Sequence, residues 1–291
     1  CADDNGRRKA EQQKTIVVTD SVGRKVELPY PLERVAVCNV YNAELITAVG
    51  AIDKIVGVDN YIFKDQSGFK NRFNEAQVFG ISQNAMNYEK LAELAPQAVI
   101  ITGEGTWRDA QEMLDRFGIK VIVINSYYTD QFADNCRLIG RIFGREEQAE
   151  ELVNYFNDKL AYIQKQLQGV PRRSLYFEYR TLGKTAVPGD YFYKMVEYSG
   201  ADNIFAAAKG SQVDQEAIIE KDPQYIVKVA DANAYSSQEK VYSHLIETLD
   251  KAISIITPLV ETNPGLVLKA DADKVYGGKM NQWCKFANSL K

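Results

Sequence analysis

Residues 145–168 constrain the fold more than any other stretch, because their pattern indicates one long α-helix near the middle of the chain. Apolar residues recur there every three or four positions and form a stripe along one side of a helix. The stripe consists of Ala149, Leu152, Val153, Phe156, Leu160, Ile163 and Leu167. At ~1.5 Å per residue the helix would span roughly 36 Å, about the width of a small domain. The stretch therefore predicts a rigid connector between two lobes.

The composition limits the class of protein. A length of 291 residues suggests two domains, at about 150 residues each, and 45% hydrophobic residues can supply a core to both. A net charge of −4 without a basic run argues against nucleic acid as the partner. The sequence contains no apolar run of about 18 residues, so it predicts no membrane-spanning segment.

Short apolar runs of strand length alternate with helical patterns on both sides of the long helix. They occupy residues 34–38, 55–58, 98–102 and 121–125 before it, and residues 175–179 and 225–229 after it. Apolar strands that alternate with helices are typical of a parallel sheet covered on both faces. The chain is therefore predicted to be an α/β protein with two Rossmann-like lobes joined by one long backbone helix.

The sequence also predicts local elements of the first lobe. Two β-prone runs, residues 15–18 and 25–28, flank the turn signal Asp20-Ser21-Val22-Gly23 and indicate a hairpin. We further expect a loop at residues 39–42, a helix at residues 43–49, a long polar and aromatic connection at residues 59–75 and a helix at residues 107–117.

A segment of the first half returns in the second half, 127 positions later. Glu216 lies 127 residues after Glu89, and Pro223 lies 127 residues after Pro96. Each copy has an N-cap residue, a first-turn glutamate, a short apolar helix, a proline that ends it and then a strand. A carboxylate in a first turn gains ~0.3–1 kcal/mol from the helix dipole, which by itself explains both glutamates. The two halves are predicted to be related copies.

These motifs resemble the substrate-binding proteins of ABC importers of the helical-backbone class, which serve the uptake of iron-siderophores, haem and cobalamin. The resemblance covers most of residues 15–280. It rests on Asp20-Ser21-Val22-Gly23-Arg24, Pro31-Leu32-Glu33-Arg34-Val35, Asn87-Tyr88-Glu89-Lys90-Leu91, Gly200-Ala201-Asp202-Asn203-Ile204-Phe205 and Val213-Asp214-Gln215-Glu216. Around Trp283 the sequence departs from the family, which usually has a further helix there, so we expect the second lobe to be completed differently or cut short.

The resemblance implies two α/β lobes on one rigid helix, with the ligand held between the lobes. It also implies that one glutamate of each lobe docks onto arginines of the membrane permease. Glu89 and Glu216 match those positions. Paired exposed charges suit such a role, because charge complementarity sets register and association rate. Stabilisation of the helix dipole remains the alternative.

The predicted ligand-binding residues follow the strands, because doubly wound lobes bind ligands beyond the carboxyl ends of their strands. They are Tyr41, Tyr61, Trp107, Arg108, Tyr127, Tyr128, Tyr179, Arg180, Tyr191 and Tyr235. The aromatic rings suit a large, flat or partly aromatic ligand. Arg108 and Arg180 would supply one guanidinium from each lobe for an anionic chelate. Packing within a loop is the alternative for each ring, and a surface ion pair is the alternative for each arginine.

Two rival functions have weaker support in the sequence. His244 is the single histidine, and no carboxylate cluster can be assembled, so a bare-metal site is disfavoured. Gly103-Glu104-Gly105 lacks the third glycine of a dinucleotide fingerprint, and a G-x-S-x-G elbow is missing. We therefore expect a binding protein with no enzymatic activity and no cofactor. Its ligand is expected to be an iron-siderophore, with a corrinoid or haem as the alternative.

The cysteines bear on location. Cys38, Cys136 and Cys284 are widely spaced and predict neither a zinc site nor a disulfide. Cys1 opens the chain before a polar, charged run, which resembles a processed bacterial lipoprotein whose first residue carries the lipid. An engineered start is the alternative. The lipid would hold the protein on the outer face of the cytoplasmic membrane or in the periplasm.

Four segments and three partners follow from this interpretation. We expect a flexible tether at residues 1–14, an N-terminal α/β lobe at residues 15–144, the connecting helix at residues 145–169 and a C-terminal α/β lobe at residues 170–291. The expected partners are the permease of an ABC importer, a metal chelate, and the membrane through Cys1. The protein is expected to be a monomer.

Overall fold

The structure, a computed structural model, describes residues 14–65, 68–190 and 192–229. These residues divide into two units. Unit 1 takes its described residues from Cys1–Ser126 and Gln131–Val153. Unit 2 takes its described residues from Tyr127–Asp130 and Asn154–Lys291.

Unit 1 is built on a parallel sheet and a separate hairpin. The hairpin pairs β1 (Thr15–Thr19) with β2 (Lys25–Pro29) in antiparallel fashion. The sheet contains β3 (Val35–Val37), β4 (Ile55–Val58), β5 (Ala98–Ile101) and β6 (Lys120–Val123) in the order β4-β3-β5-β6. All three of its strand pairings are parallel. The predicted hairpin and parallel sheet are confirmed.

Helices cover both faces of the unit 1 sheet. They are α1 (Val40–Ala48), α2 (Asn60–Lys64), α3 (Tyr88–Leu94), α4 (Trp107–Asp115), α5 (Phe132–Phe143) and the start of α6 (Glu146–Gln166). Alternate residues of the strands pack on opposite faces. Ile100 joins the core cluster that contains α1 and α5 residues, whereas Ile101 joins the cluster that contains α3 and α4 residues. Two-sided burial explains why the strands are apolar throughout.

Unit 2 repeats this arrangement on a smaller scale within its described residues. Its elements are β7 (Ser174–Glu178), α7 (Tyr193–Tyr198), β8 (Asp202–Asn203), α8 (Gln215–Glu220) and β9 (Tyr225–Lys228). The strand order is β8-β7-β9, and both pairings are parallel. Strand β7, the first of this sheet along the chain, therefore has a neighbour on each side, as β3 has in the sheet of unit 1.

The internal repeat corresponds to the same helix and strand in each unit. Strand β5 begins at Ala98 and β9 begins at Tyr225, which keeps the spacing of 127. Both preceding helices are capped as predicted. Asn87 accepts a hydrogen bond from the Lys90 amide at 2.9 Å, and Asp214 accepts one from the Glu216 amide at 2.8 Å.

The long helix is confirmed, because α6 runs without a break from Glu146 to Gln166. The division into two units falls inside this helix, after Val153. One local prediction was wrong, because helix α1 begins at Val40 and the expected loop at residues 39–42 is mostly helical. The expected connection at residues 59–75 contains the short helix α2. In the part of the chain that the structure describes, every helix is too short or too polar to cross a bilayer.

The hairpin turn is attached to the edge of the unit 1 sheet. The Ser21 amide donates to the Val123 carbonyl of β6 at 2.9 Å, and the Val123 amide donates to the Asp20 carboxylate at 3.3 Å. Arg24 binds that same carboxylate at 2.7 Å. Asp20 and Arg24 therefore have a structural role, which explains the presence of one of the motifs on which the resemblance rests.

Helices α5 and α6 approach closely at Gly140. The Arg145 amide donates to the Gly140 carbonyl at 2.7 Å across the turn between the helices. A Cβ added at Gly140 would lie 2.4 Å from the Cβ of Ala149 and 2.9 Å from the Arg145 carbonyl oxygen. The contact therefore leaves no space for a side chain at this position.

Replacement of Gly140 by alanine is expected to lower the free energy of unfolding by about 1–3 kcal/mol, because overpacking forces backbone shifts. Alanine is the better helix former by ~1 kcal/mol, so packing reverses the usual sign. Gly210→Ala is the matched control, since an added Cβ there meets nothing within 4 Å. Urea denaturation measures both variants. A more stable Gly140→Ala variant would contradict the close approach.

Candidate functional site

In unit 1 the chain leaves the carboxyl ends of the neighbouring strands β3 and β5 toward opposite faces of the sheet. After β3 the chain enters α1, which packs in the first core cluster, and after β5 it enters α4, which packs in the second. Such a reversal opens a crevice at the strand ends, where open α/β sheets bind ligands. This edge is the candidate site of unit 1.

Asp59 organises one side of this edge. It follows β4 and is 2% exposed, and its carboxylate accepts hydrogen bonds from the amides of Asn39 and Ile62, both at 2.9 Å. Burial raises the pKa of Asp59 above its ordinary value, while the amides of Asn39, Ile62 and Tyr61 act in the opposite direction. The carboxylate thus caps α2 and ties it to the end of β3.

Asn39 holds the start of α1 in a strained conformation. Its φ is 79°, in the left-handed region that asparagine tolerates better than most residues. Its side chain accepts a hydrogen bond from the Tyr41 amide at 2.9 Å. Because the Asn39 amide donates a hydrogen bond to the Asp59 carboxylate, the ends of β3 and β4 are tied together.

Amide side chains fix the loops after β5 and β6. Asn125 accepts from the Gly103 amide at 2.7 Å, and the Ser126 hydroxyl donates to buried Asn42 at 2.6 Å. Gln83 accepts from both the amide and the hydroxyl of Thr102, at 2.9 Å and 2.8 Å. The edge of the sheet is therefore preorganised before any ligand binds.

These polar residues were not among the predicted ligand-binding residues. Asp59, Thr102 and Asn125 each follow an apolar strand within two residues, and this position was the available signal. Gln83 carried no such signal, because it lies in a connection far from any strand end in sequence. Its role becomes visible only in the folded chain, where its side chain binds Thr102 at the end of β5.

The predicted aromatic residues of unit 1 differ in what they offer a ligand. Tyr61, in α2, is 64% exposed beside Asp59. Tyr41 is half-buried in α1. Trp107 is only 8% exposed and packs in the core cluster of α3 and α4.

Two guanidinium groups lie close to the ring of Trp107. Arg24 is 4.4 Å from the ring centroid and Arg108 is 4.2 Å from it, which are typical cation–π distances. Trp107 and Arg108 form the first turn of α4 rather than a loop. The structure therefore brings these two predicted residues together, and it gives both a partner within unit 1.

In unit 2 the predicted residues lie in two loops. Tyr127 and Tyr128 have ring centroids 4.6 Å apart. Tyr179 and Arg180 follow β7, where Arg180 is exposed and Tyr179 is half-buried. The Tyr179 hydroxyl donates to the Asp190 carboxylate, so that ring is held against its own loop. Tyr191 and Tyr235 lie outside the described residues, as do His244 and Trp283.

Glu89 and Glu216 occupy equivalent places in the two units. Each is exposed and lies in the first turn of a short helix, α3 or α8. Both positions suit the helix dipole and also leave the carboxylate accessible to a partner. Cys1, the predicted lipid site, lies outside the described residues.

The described cysteines are buried, and the described metal-binding side chains are dispersed. Cys38 and Cys136 are buried free thiols, and burial raises the pKa of both above the ordinary value. Among the described residues, His, Cys, Asp and Glu side chains do not gather in groups of three or more that could hold a metal ion.

Comparison with known proteins gives the family context. Residues 35–249 match a family model described as periplasmic binding protein. Residues 224–291 also match a model described as SusD and RagB outer membrane lipoprotein. That second match covers the stretch around Trp283, where the sequence departs from the first family.

Individual proteins are similar over most of the chain. The vitamin B12-binding protein of Salmonella typhimurium is 22% identical over 225 residues, which cover 75% of this chain and 80% of that protein. The molybdate-binding protein MolA of Haemophilus influenzae is 27% identical, with 72% and 68% covered. The crystal structure of the petrobactin-binding protein YclQ of Bacillus subtilis superimposes with a TM-score of 0.72 at 17% identity, covering 96% and 99%. These likenesses agree with the α/β fold.

Ionisation of Asp59 is expected to destabilise the fold, because its pKa is raised above the ordinary value of 3.8. As pH rises from 3.8 through the raised pKa, the folded chain holds a proton that the unfolded chain has released, so stability falls. The difference in unfolding free energy between the native chain and Asp59→Asn should therefore shrink over that window. Urea denaturation from pH 3.5 to 7 measures it, and a difference that grows with pH would contradict the assignment.

Proposed function

Because the chain belongs to the periplasmic binding protein family, we propose that it captures a metal chelate, first of all an iron-siderophore, and delivers it to the permease of an ABC importer. Proteins of this family are substrate-binding proteins of ABC transporters and work outside the cytoplasm. The charge and the aromatic surface at the strand ends support a metal chelate as the ligand.

The loop after β7 carries the observation that favours an anionic ligand. Arg180 and Lys184 are both exposed on it, within a stretch of six residues that begins at Tyr179. Guanidinium groups bind carboxylate, catecholate and similar oxygen donors through charge-assisted hydrogen bonds. A ferric siderophore that carries net negative charge matches this chemistry.

A corrinoid is the second candidate, with haem as a further variant. Tyr61 presents a largely exposed ring, and Tyr127 and Tyr128 present a close pair. Flat macrocycles pack well against such rings. The relative named vitamin B12-binding protein also supports this alternative. An enzyme is disfavoured, and binding of one equivalent of ligand without turnover would distinguish the two classes.

The glutamates Glu89 and Glu216 are proposed to dock onto the permease. Both are exposed, both begin a helix in equivalent parts of the repeat, and each belongs to a different unit. Exposed charges on a binding surface steer association and fix orientation more than they add affinity. We further propose that the protein is a monomer held at the outer face of the cytoplasmic membrane, or in the periplasm, by a lipid on Cys1.

Replacement of Arg180 by alanine is expected to raise the Kd for a ferric siderophore about tenfold, because one charge-assisted hydrogen bond is lost. Fluorescence titration with ferric enterobactin, ferrichrome, cyanocobalamin and haemin measures the affinities. Lys165→Ala, which removes an exposed cation from α6, is the matched control and should bind like the native chain. Tight binding of cyanocobalamin alone, unaffected by Arg180→Ala, would favour the corrinoid alternative.

Charge reversal of Glu89 and Glu216 to lysine is expected to abolish ligand-stimulated ATP hydrolysis by the importer, while ligand affinity stays unchanged. The reversed charges would repel the arginines of the permease. Glu93→Lys with Glu220→Lys is the control, because these exposed residues lie on the same two helices outside the first turn. ATP hydrolysis is measured with the importer in proteoliposomes. Unaltered stimulation by the double variant would refute the docking role.

A further inference from the structure

A buried ion pair joins the ends of β7 and β9 in unit 2. Glu178 and Lys228 are paired residues of the two strands, and they are 2% and 3% exposed. The Lys228 ammonium donates to one oxygen of the Glu178 carboxylate. The other oxygen accepts from the Tyr176 hydroxyl at 2.7 Å and from the Gly183 amide at 2.9 Å. Both oxygens of the Glu178 carboxylate therefore accept hydrogen bonds.

Burial makes stability alone a weak explanation for this pair. Removal of two charges from water costs free energy that their attraction only partly returns, and apolar residues of similar volume often stabilise a core as well or better. The groups that the pair holds in place offer a better explanation for its presence.

The internal repeat shows that the fold does not require charges here. By the spacing of 127, Lys228 corresponds to Ile101 at the end of β5. Glu178 corresponds to Cys38 by strand register, because Val37 pairs with Ile100 and Phe177 pairs with Val227, and Cys38 and Glu178 are the next residues. Cys38 and Ile101 are both buried and uncharged. Unit 1 thus closes the same strand ends with apolar side chains.

The ion pair of unit 2 contacts both ends of the loop that bears Arg180. This Arg180 loop, residues 179–184, begins at the Tyr179 carbonyl, which lies 3.4 Å from the Lys228 ammonium. It ends near the Gly183 amide, which donates to Glu178. A hydrogen bond of 2.8 Å from the Tyr179 amide to the Lys184 carbonyl closes the loop.

Gly183 shows how tightly the end of the loop is fixed. Its φ is +70°, and an added Cβ would lie 2.6 Å from the Val213 carbonyl oxygen. The glycine amide is thereby aimed at the buried carboxylate. Arg180, in contrast, is exposed.

We propose that the Glu178–Lys228 pair is a positioning element that holds the Arg180 loop in the geometry that receives an anionic ligand. This inference rests on the proposed function, because it takes Arg180 as a ligand-binding residue. The pair acts through the loop and does not itself touch the ligand. Its oxygen and ammonium groups serve as fixed anchors for the two ends of the loop.

The first test measures order in the loop and needs no ligand. Glu178→Gln with Lys228→Met removes both charges together and leaves no charge unpaired in the core. Hydrogen exchange followed by mass spectrometry should show protection of residues 179–184 reduced at least tenfold, with the strands still protected. Ile218→Val, which trims a buried residue of α8, is the control for general destabilisation. Unchanged protection of the loop in the double variant would overturn the proposal.

A second variant covers the case in which the first does not fold. Glu178→Cys with Lys228→Ile installs the residues that unit 1 uses at the same strand ends. It should fold with a loop that exchanges as fast as in the first variant. A loop that stays protected in this variant would likewise overturn the proposal.

The third test measures coupling between the pair and Arg180. Arg180→Ala should raise the Kd for the tightest ferric siderophore about tenfold in the native chain and less than about twofold in the uncharged-pair background, because a mispositioned arginine contributes little. An equal loss in both backgrounds would refute the positioning role. If the native chain binds none of the four probes, the proposed function fails, and the exchange experiment still decides whether the pair orders the loop.

Discussion

The central strands β3 and β7 set the framework for the rest of each unit. Each is hydrogen-bonded on both sides by parallel neighbours, so the carboxyl ends of adjacent strands come together at one edge of the sheet. Loops that leave this edge carry backbone and side-chain polar groups that must be satisfied. Asp59 performs this task in unit 1, and Glu178 performs it in unit 2. Site and scaffold are therefore parts of one hydrogen-bonded arrangement.

The regular elements were predictable because their signals are local. Apolar runs identified the longer strands, and a helical stripe identified α6. The error occurred at the start of α1, where Asn39 acts as the N-cap shortly after β3. The site was less predictable, because it depends on contacts between distant segments. Trp107 looked like an accessible ring in the sequence, but Arg24 from the hairpin covers one of its faces.

The repeat separates the features that the two units share from the features in which they differ. Both units have a capped helix followed by a strand beside the central strand, which is the part that maintains the sheet. The strand ends differ, since unit 1 closes them with Cys38 and Ile101 and unit 2 with an ion pair. Sequence alone could not reveal this difference, because Glu178 and Lys228 are 50 residues apart and meet only through strand register. Specialisation of this kind fits a family whose compared members carry the names of different ligands.

The attachment of the hairpin turn to β6 has a consequence for association between copies. The outer strand of an open sheet presents unpaired amides and carbonyls that can recruit a strand from another molecule. At Val123 of β6, the carbonyl accepts from the Ser21 amide and the amide donates to the Asp20 carboxylate. At the opposite border, on β4, the Val58 carbonyl accepts from the Phe79 amide. Both borders of the unit 1 sheet are thus partly capped from within the chain. A polypeptide built this way has less opportunity for sheet extension and for the aggregation that follows from it.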